Sequence, residues 1–364
     1  MNELKNNNIA LILPTNLYFA PYLNIYTKIL RQNEIKYDII FWDREGLNEN
    51  GGICFKKKSS KTLNKFKKII DYYSFSKFVK KTVTINKYNK LVIFGPQIGL
   101  YLFIFLKTKF HKSFILDYRD LSIDQKVPYL FNYLLKSAFS ICISSPGFKK
   151  VLPSDKNYIL SHNFDIDVVK TALKNKIESN FNFESTRAFN ISTIGGIRDY
   201  EQNEELIDSL RNSNKFKLAF IGKGISELDL KKYCNLQKIK NVSFLGIYKK
   251  KNEFKFYEEA DFVSIYYPHI MSHSNALSNR FYNCLIYKVP MIVSCNSIQA
   301  NYVEKYSLGL SIENCNNLED KLLQYMNILK NNIFIDNCNK LLKEFIQDYN
   351  EFEINLNKFL EIKK

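Results

Sequence analysis

The chain has 364 residues, 46% hydrophobic and 24% charged, a mixture that excludes disorder and a length that suits two α/β domains better than one core. The formal net charge of +17 is uneven: residues 1–162 hold 26 Lys and Arg against 11 Asp and Glu, and residues 163–364 hold 27 against 25. The basic half is therefore expected to meet an anionic surface, membrane or nucleic acid. Seven scattered cysteines with no Cys-x-x-Cys suit reduced thiols of a cytoplasmic protein. A polar start predicts no secretory signal, and the apolar run from Ile98 to Leu106 is too short to span a bilayer.

Ile9 to Leu13 is a buried-strand run ended by Pro14, Thr15 and Asn16, and a helix follows with Tyr22, Ile25, Tyr26, Ile29 and Leu30 on one face. Tyr37 to Trp42 is the next strand, so the opening reads as a βαβ unit of a parallel sheet. Lys56 to Lys90 then carries 12 lysines and a single acid, Asp71, with aromatic and aliphatic residues between them. Their three- and four-residue spacing predicts a pair of basic amphipathic helices. Two readings stay open. In one, Lys65, Lys67, Lys68, Lys77, Lys80 and Lys81 contact an anionic membrane while Phe66, Ile70, Phe75 and Phe78 insert; in the other the lysines are a solvated face over the core.

Leu91 to Phe94 is a strand, Gly95-Pro96 a turn, and Ile98 to Lys107 an apolar helix. Phe114 to Asp120 is a strand that ends in Asp117, Arg119 and Asp120. Open α/β sheets place their sites at the C-terminal ends of parallel strands, which makes these three the catalytic candidates. Asp117 or Asp120 would orient an acceptor hydroxyl; a structural ion pair with Arg119 is the alternative. Strands at Ser140–Ser145 and Asn157–Leu160 follow, and residues 166–187 are polar and weakly patterned, which suits a linker.

The stretch from Asn190 to Arg280 repeats one pattern. Ile191 to Ile194 is β-rich, Gly195-Gly196 follows, and a helical run begins after Arg198. Paired glycines at such a junction let backbone N–H groups approach a ligand, a helix N-terminus favours an anion, and a guanidinium can grip a phosphate twice. Leu218 to Gly224 repeats the unit with Gly222, Lys223 and Gly224; Val242–Gly246 and Phe262–Ile265 add two more strands. Four strand-then-loop units, two with glycine and a cation, point to a nucleoside-diphosphate crevice. Helices are expected over Leu318–Lys330 and Asn337–Phe359.

Thr193-Ile-Gly-Gly, Phe220-Ile-Gly-Lys-Gly, Asn241-Val-Ser-Phe-Leu-Gly and Glu259-Ala-Asp-Phe-Val-Ser resemble the donor-binding half of a GT-B glycosyltransferase, most of all family 4 in the branch of bacterial capsule and O-antigen clusters. Ser278 to Ser294 is similar to that branch's Pro-Asn-Lys-Phe-x-Glu-x4-Gly-x-Pro-Val-Ile segment. The resemblance implies two Rossmann-like domains facing each other across a cleft: an acceptor domain over 1–165 with the C-terminal helix of about 345–364, a linker over 166–187, and a donor domain over 188–344. It implies that Thr15 and Asn16 face the cleft, that Asn279 and Arg280 meet the donor diphosphate, and that Arg119-Asp120 stands where the family often has His-Asp. The family's Glu-x7-Glu pair is replaced by Asn275 and Asn283, which keeps an acceptor oxygen for ribose at Asn283 and loses the charge.

The expected activity is retaining transfer of a sugar from a nucleotide donor to a polyprenyl-linked glycan at the inner membrane face, in surface polysaccharide synthesis. No cofactor or metal is expected, since Arg198 and Arg280 would carry the leaving-group charge. Asp165 and Asp167 form an Asp-x-Asp only in the apparent linker, and His269 and His273 have no adjacent acid for zinc; His273 is assigned to the donor-sugar pocket. Three other readings stay open: a catalytically silent GT-B scaffold, suggested by the two asparagines; a nucleotide-sugar epimerase of the same fold, disfavoured by the missing carboxylates; and a nucleic-acid binder, which no recognition motif supports.

Overall fold

The computed structural model describes residues 8–59, 64–175, 187–329 and 333–362. The chain divides into two compact units, Met1–Asp165 with Gln347–Lys364, and Ile166–Ile346.

The first unit is built on seven parallel strands in the order β3-β2-β1-β4-β5-β6-β7. They are β1 (Ile9–Leu13), β2 (Tyr37–Asp43), β3 (Ile53–Lys56), β4 (Lys90–Phe94), β5 (Phe114–Tyr118), β6 (Ser140–Ile143) and β7 (Tyr158–Leu160). All residues of β1, β4 and β5 are buried, as expected for central strands of a parallel sheet covered on both faces. The connecting helices are α1 (Leu23–Gln32), α2 (Lys65–Ile85), α3 (Pro96–Tyr101), α4 (Phe103–Lys109) and α5 (Pro128–Ser137). Strand β3 was not legible as a strand, and the apolar helix expected over Ile98–Lys107 is two short helices meeting at Leu102.

The basic segment forms one helix, α2, where the spacing predicts two. No Gly or Pro interrupts its 21 residues, and Asn64 caps it by accepting the Phe66 N–H at 3.1 Å. Phe75 is fully buried, stacked on Trp42 at 5.4 Å, and Phe78 packs against Phe55 at 5.3 Å. Neither is placed to insert into a bilayer, because the face that carries them is the one that covers the sheet. Asp71, the segment's lone acid, is also buried: burial would raise its carboxyl, but hydrogen bonds from Lys57 at 2.7 Å and Ser59 at 2.8 Å hold it below the ordinary carboxylate range. Lys67, Lys77 and Lys81 are exposed, Lys68 and Lys80 are half-buried, and the Lys65 side chain lies outside the described residues.

The second unit is a six-stranded parallel sheet in the order β10-β9-β8-β11-β12-β13. Its strands are β8 (Phe189–Ile194), β9 (Phe216–Ile221), β10 (Val242–Gly246), β11 (Phe262–Ile265), β12 (Met291–Ser294) and β13 (Gly309–Ile312). It opens with α6 (Ile166–Lys174), so the first part of the expected linker is helical: Ile166, Val169 and Ala172 recur at helical spacing and are buried. Residues 176–186 of that expectation lie outside the described residues. The remaining helices are α7 (Tyr200–Leu210), α8 (Glu227–Leu236), α9 (Glu253–Glu258), α10 (Met271–Asn275), α11 (Asn279–Tyr287), α12 (Ile298–Tyr306), α13 (Leu318–Leu329) and α14 (Ile333–Leu360).

Helix α14 starts in the second unit and ends in the first, where Phe352 packs edge-on against Tyr26 at 4.9 Å and Phe359 against Phe139 at 5.3 Å. Asp348 bonds the buried His162 at 2.8 Å; burial lowers the imidazole pKa against the pull of that carboxylate. Among the described residues no helix is long and apolar enough to cross a membrane.

The two faces of α2 differ sharply in what substitution should cost. Phe75→Ala is expected to lower the unfolding free energy by about 3–5 kcal/mol, the usual loss for a large buried aromatic. Phe66→Ala, at a position 76% exposed, is expected to change it by less than about 0.5 kcal/mol. Urea unfolding followed by circular dichroism checks both, and equal losses would contradict the assignment of faces.

Candidate functional site

The C-terminal ends of β8 and β11 and the segment that follows β10 border a polar concavity of the second unit. Beyond Ile194 the chain turns through Gly195, whose φ of 103° suits glycine, and the Gly195 N–H donates to Ile221 O at 2.8 Å. The next loop presses against this one: a Cβ on Gly222 would lie 2.0 Å from Gly195 O, and one on Gly224 1.8 Å from Ile197 O. Gly222 and Gly224 therefore pack loop on loop. The expectation that these two glycines line the donor crevice is corrected, since their missing side chains make room for protein backbone; Lys223 between them is exposed.

Gly195 and Gly196 keep their open side toward a cavity of about 320 Å³, which is also lined by Arg198, Tyr248, Lys250, Glu253, Tyr267, His273, Asn279, Arg280 and Gln299. Arg280 is buried, and three of its nitrogens bond backbone: Nε donates to Ile194 O, Nη1 to Ser264 O at 3.2 Å and Nη2 to Gly196 O at 2.9 Å. A guanidinium has five N–H groups, so two remain beyond these three bonds. Arg280 is thus first a clamp on the glycine loop and only second a group for a ligand. Arg198 is exposed and lies beside Gly196, where a Cβ would come 3.1 Å from its Nε.

Two charged residues that the sequence did not single out, Glu253 and Lys250, complete the cavity's charge. Glu253, at the start of α9, is buried and accepts from Tyr248 Oη at 2.9 Å and from Lys250 Nζ. Its other oxygen accepts from Asn283 Nδ2 at 2.9 Å. The cavity therefore holds a carboxylate, bonded to Asn283 of α11 but supplied by a different helix, α9. Asn283 does not itself line the cavity, because its amide is turned to Glu253. Asn275 donates to Met271 O at 2.9 Å within α10 and is likewise not part of the lining. His273 does line it, with its ring 5.1 Å from that of Tyr267 and its enclosed Nδ1 unpartnered among the described residues. The sequence signal for Glu253 was its place just past the C-terminal end of β10, the same rule that located Gly195.

The candidates of the first unit are held differently. Asn16 is fully buried, donates to Asp43 at 2.6 Å and Glu49 at 2.8 Å, and accepts the Arg44 and Glu45 N–H groups, both at 3.0 Å. Its amide is saturated, so the expected ligand contact gives way to a structural one; Thr15 beside it is half-buried. Asp117 is fully buried at the end of β5 and accepts from Tyr26 Oη at 2.7 Å and Arg119 Nη2 at 2.8 Å. Burial pushes the Asp117 carboxyl up, more than Arg119 and the hydrogen bonds lower it. Arg119 also stacks on Tyr22, 4.2 Å from the ring centre, and reaches Ser161 at 3.2 Å. Asp117 and Arg119 form a buried ion pair in which Asp117 Oδ1 and Arg119 Nε and Nη1 have no hydrogen-bond partner among the described residues, while Asp120 is exposed.

No family model matches the chain, and no curated protein matches it in sequence. Solved structures do match. A sucrose-phosphate synthase from Thermosynechococcus elongatus is similar at TM-score 0.67 and 12% identity, over 98% of each chain. HepE from Anabaena, solved with UDP and glucose, is similar at TM-score 0.67 and 12% identity, over 97% of this chain and 100% of that one. A Listeria monocytogenes protein described as a putative UDP-N-acetylglucosamine 2-epimerase is similar at TM-score 0.57 and 11% identity, over 92% and 91%. With two Rossmann-like parallel sheets, the chain has the GT-B fold.

The clamp geometry separates the two arginines. Arg280→Ala strands three backbone carbonyls and is expected to lower stability by about 2–4 kcal/mol, whereas Arg198→Ala should stay within about 0.5 kcal/mol of the parent. Urea midpoints of the ligand-free proteins test this; an Arg280→Ala protein as stable as the parent would mean the clamp carries nothing.

Proposed function

We propose that the chain is a retaining glycosyltransferase of the family 4 type that moves a sugar from a nucleotide donor to a lipid-linked glycan in surface polysaccharide synthesis. The observation that carries the reading is the convergence of the open Gly195-Gly196 backbone with Arg198, Lys250 and Arg280 on one cavity. A nucleoside diphosphate fits those groups: three cations beside a glycine turn that puts no side chain in the way for the diphosphate, and the Glu253 carboxylate as an acceptor for hydroxyls. As the glycosidic bond breaks, negative charge builds on the leaving phosphate, and cations fixed before the reaction stabilise it there. Arg280, held by three carbonyls, is the preorganised one.

Transfer in this reading needs no divalent ion, because the cations occupy the place where one would act. The acceptor side belongs to the first unit, with Asp120 as the exposed carboxylate at the end of its β5. The similarity to HepE with bound UDP and glucose supports a nucleotide-sugar donor.

One alternative gains from Glu253. The absence of carboxylates counts against an epimerase only at Asn275 and Asn283, and the buried Glu253 restores one to the cavity. Incubation with UDP-N-acetylglucosamine and no acceptor separates the two activities: an epimer detected by NMR would replace the transferase reading.

Calorimetry of UDP binding tests the donor site. Arg198→Ala and Lys250→Ala are each expected to weaken it by about 1.5–3 kcal/mol, the range for hydrogen bonds to charged groups. Unchanged affinity in both would remove the assignment. Transfer is expected to persist in EDTA; activity lost on chelation and restored by magnesium or manganese would sink the metal-free mechanism.

A further inference from the structure

Beside the donor cavity lies a second, much smaller one. This recess of about 10 Å³ shares Tyr267, His273 and Gln299 with the main cavity, and Ser274, Ser294 and Ser297 also border it. Such a volume admits about one water-sized group. It lies one ring away from the clamp on the glycine loop. The Arg280 guanidinium sits 5.6 Å from the centre of the Tyr267 ring, and the His273 ring is 5.1 Å from the same ring.

Hydrogen bonds within the protein use up part of the recess and leave a defined remainder. Ser294 Oγ accepts the Tyr267 N–H at 2.7 Å and donates to Tyr267 O at 2.6 Å. Ser297 Oγ donates to Ser294 O at 2.8 Å and accepts the Ala300 N–H at 3.1 Å. Gln299, only 2% exposed on α12, is bonded at one end alone: its Oε1 accepts the Ser278 N–H at 3.1 Å and the Ser278 Oγ–H at 2.7 Å. A backbone N–H can only donate, which fixes the amide with its oxygen toward Ser278. Its Nε2 is left with two hydrogens that no described residue accepts. His273 Nδ1 is enclosed and also unpartnered among the described residues, and the half-buried Ser274 hydroxyl makes no bond there either. A buried donor is costly to leave unmatched, so this remainder asks for a ligand atom.

We propose that Gln299 and His273 read one hydroxyl of the sugar to be transferred, and that the recess they share sets the donor's sugar specificity. The inference rests on the donor-site reading above and adds to it the chemistry of the sugar substituent. A hydroxyl satisfies both partners at once, because its oxygen accepts from Gln299 Nε2 and its hydrogen goes to His273 Nδ1. An ammonium group only donates and leaves the Gln299 amide unmatched. A carboxylate brings no hydrogen, and an acetamido group brings a chain of heavy atoms into room for about one. The single ring between Arg280 and the recess places the bound group on the unit next to the diphosphate. Glu253 and its partners Tyr248, Lys250 and Asn283, which suit the hydroxyls of a nucleoside, do not border the recess.

Calorimetric affinities of UDP, UDP-glucose and each monodeoxy form of UDP-glucose test this on the full chain. The deoxy form that lacks the hydroxyl in the recess should bind the parent about tenfold more weakly than UDP-glucose. Gln299→Glu keeps an oxygen for Ser278 and removes the N–H donors. In that variant the same deoxy form should bind as UDP-glucose does, and the ratio of UDP-glucose to UDP affinity should fall by about tenfold. The added charge weakens both ligands alike, so the ratio isolates the sugar contact. His273→Phe should lower the ratio as well, with circular dichroism unchanged in both variants. Deoxy forms that all bind the parent like UDP-glucose would overturn the proposal. So would an unchanged ratio in Gln299→Glu, which would leave Gln299 as a support of Ser278 alone. A parent that does not bind UDP would overturn the donor site together with the recess, whereas UDP binding without these differences would overturn the recess only.

Discussion

The geometry of the second unit depends on where the charge of Arg280 is neutralised. Among the described residues no carboxylate pairs with it; its guanidinium meets the carbonyls of Ile194, Gly196 and Ser264, so one buried side chain ties the ends of β8 and β11 to the glycine loop between them. A buried cation without hydrogen bonds would cost several kcal/mol, so the three carbonyls and the arginine stabilise one another. Serine capping of α11 fixes where that arginine starts from: Ser278 Oγ accepts the Phe281 N–H at 3.2 Å while Gln299 accepts from Ser278. The loop that a phosphate would meet is therefore set before any ligand arrives.

Glycine does two different jobs in this region, and only one of them is chemical. Gly222 and Gly224 are small because the Gly195–Ile197 backbone lies against them. Gly195 and Gly196 are small toward the cavity. A sequence motif cannot separate the two, since both look like glycine after a strand. The same limit explains Asn16 and Asp117. Each stands at the end of a parallel strand, where sites are expected, yet each is enclosed by its own unit: Asn16 by Asp43, Glu49 and two N–H groups, Asp117 by Tyr26 and Arg119.

What was legible followed from periodicity. Runs such as Ile9–Leu13, Leu91–Phe94 and Val242–Gly246 are strands because their residues fit only the buried or half-buried pleat of a parallel sheet. Less visible were elements whose burial is decided by a partner far away in sequence. β3 becomes a strand by pairing with β2, and α6 was masked by polar neighbours although three of its residues pack inward. The α2 face was misassigned because lysine, phenylalanine and tyrosine recur on every side of it; only Trp42 and Phe55 decide that Phe75 and Phe78 point inward while Phe66 does not. Glu253 is hidden for a similar reason: the spacing of Asn275 and Asn283 points to α10 and α11, and the carboxylate arrives from α9.

That relocation changes how the cavity would respond to charge. Glu253 lies between Asn283, which fixes one oxygen, and Lys250, which meets the other from a side chain 73% exposed. An exposed lysine bridge of this kind is worth about 0–1 kcal/mol and is easily given up. Lysine is also a mobile point charge, where arginine is a rigid fork. The two cations therefore differ in kind: Arg280 cannot leave its carbonyls without undoing the loop, whereas Lys250 can exchange the Glu253 oxygen for a phosphate oxygen at little cost. When it does, Glu253 regains an acceptor site beside Tyr248 and Asn283, available to a hydroxyl of the same ligand. The anionic and hydroxylic parts of a nucleoside diphosphate would thus be bound through one coupled exchange, a behaviour that a Glu at position 283, facing Glu253 as a second carboxylate, would oppose by like-charge repulsion.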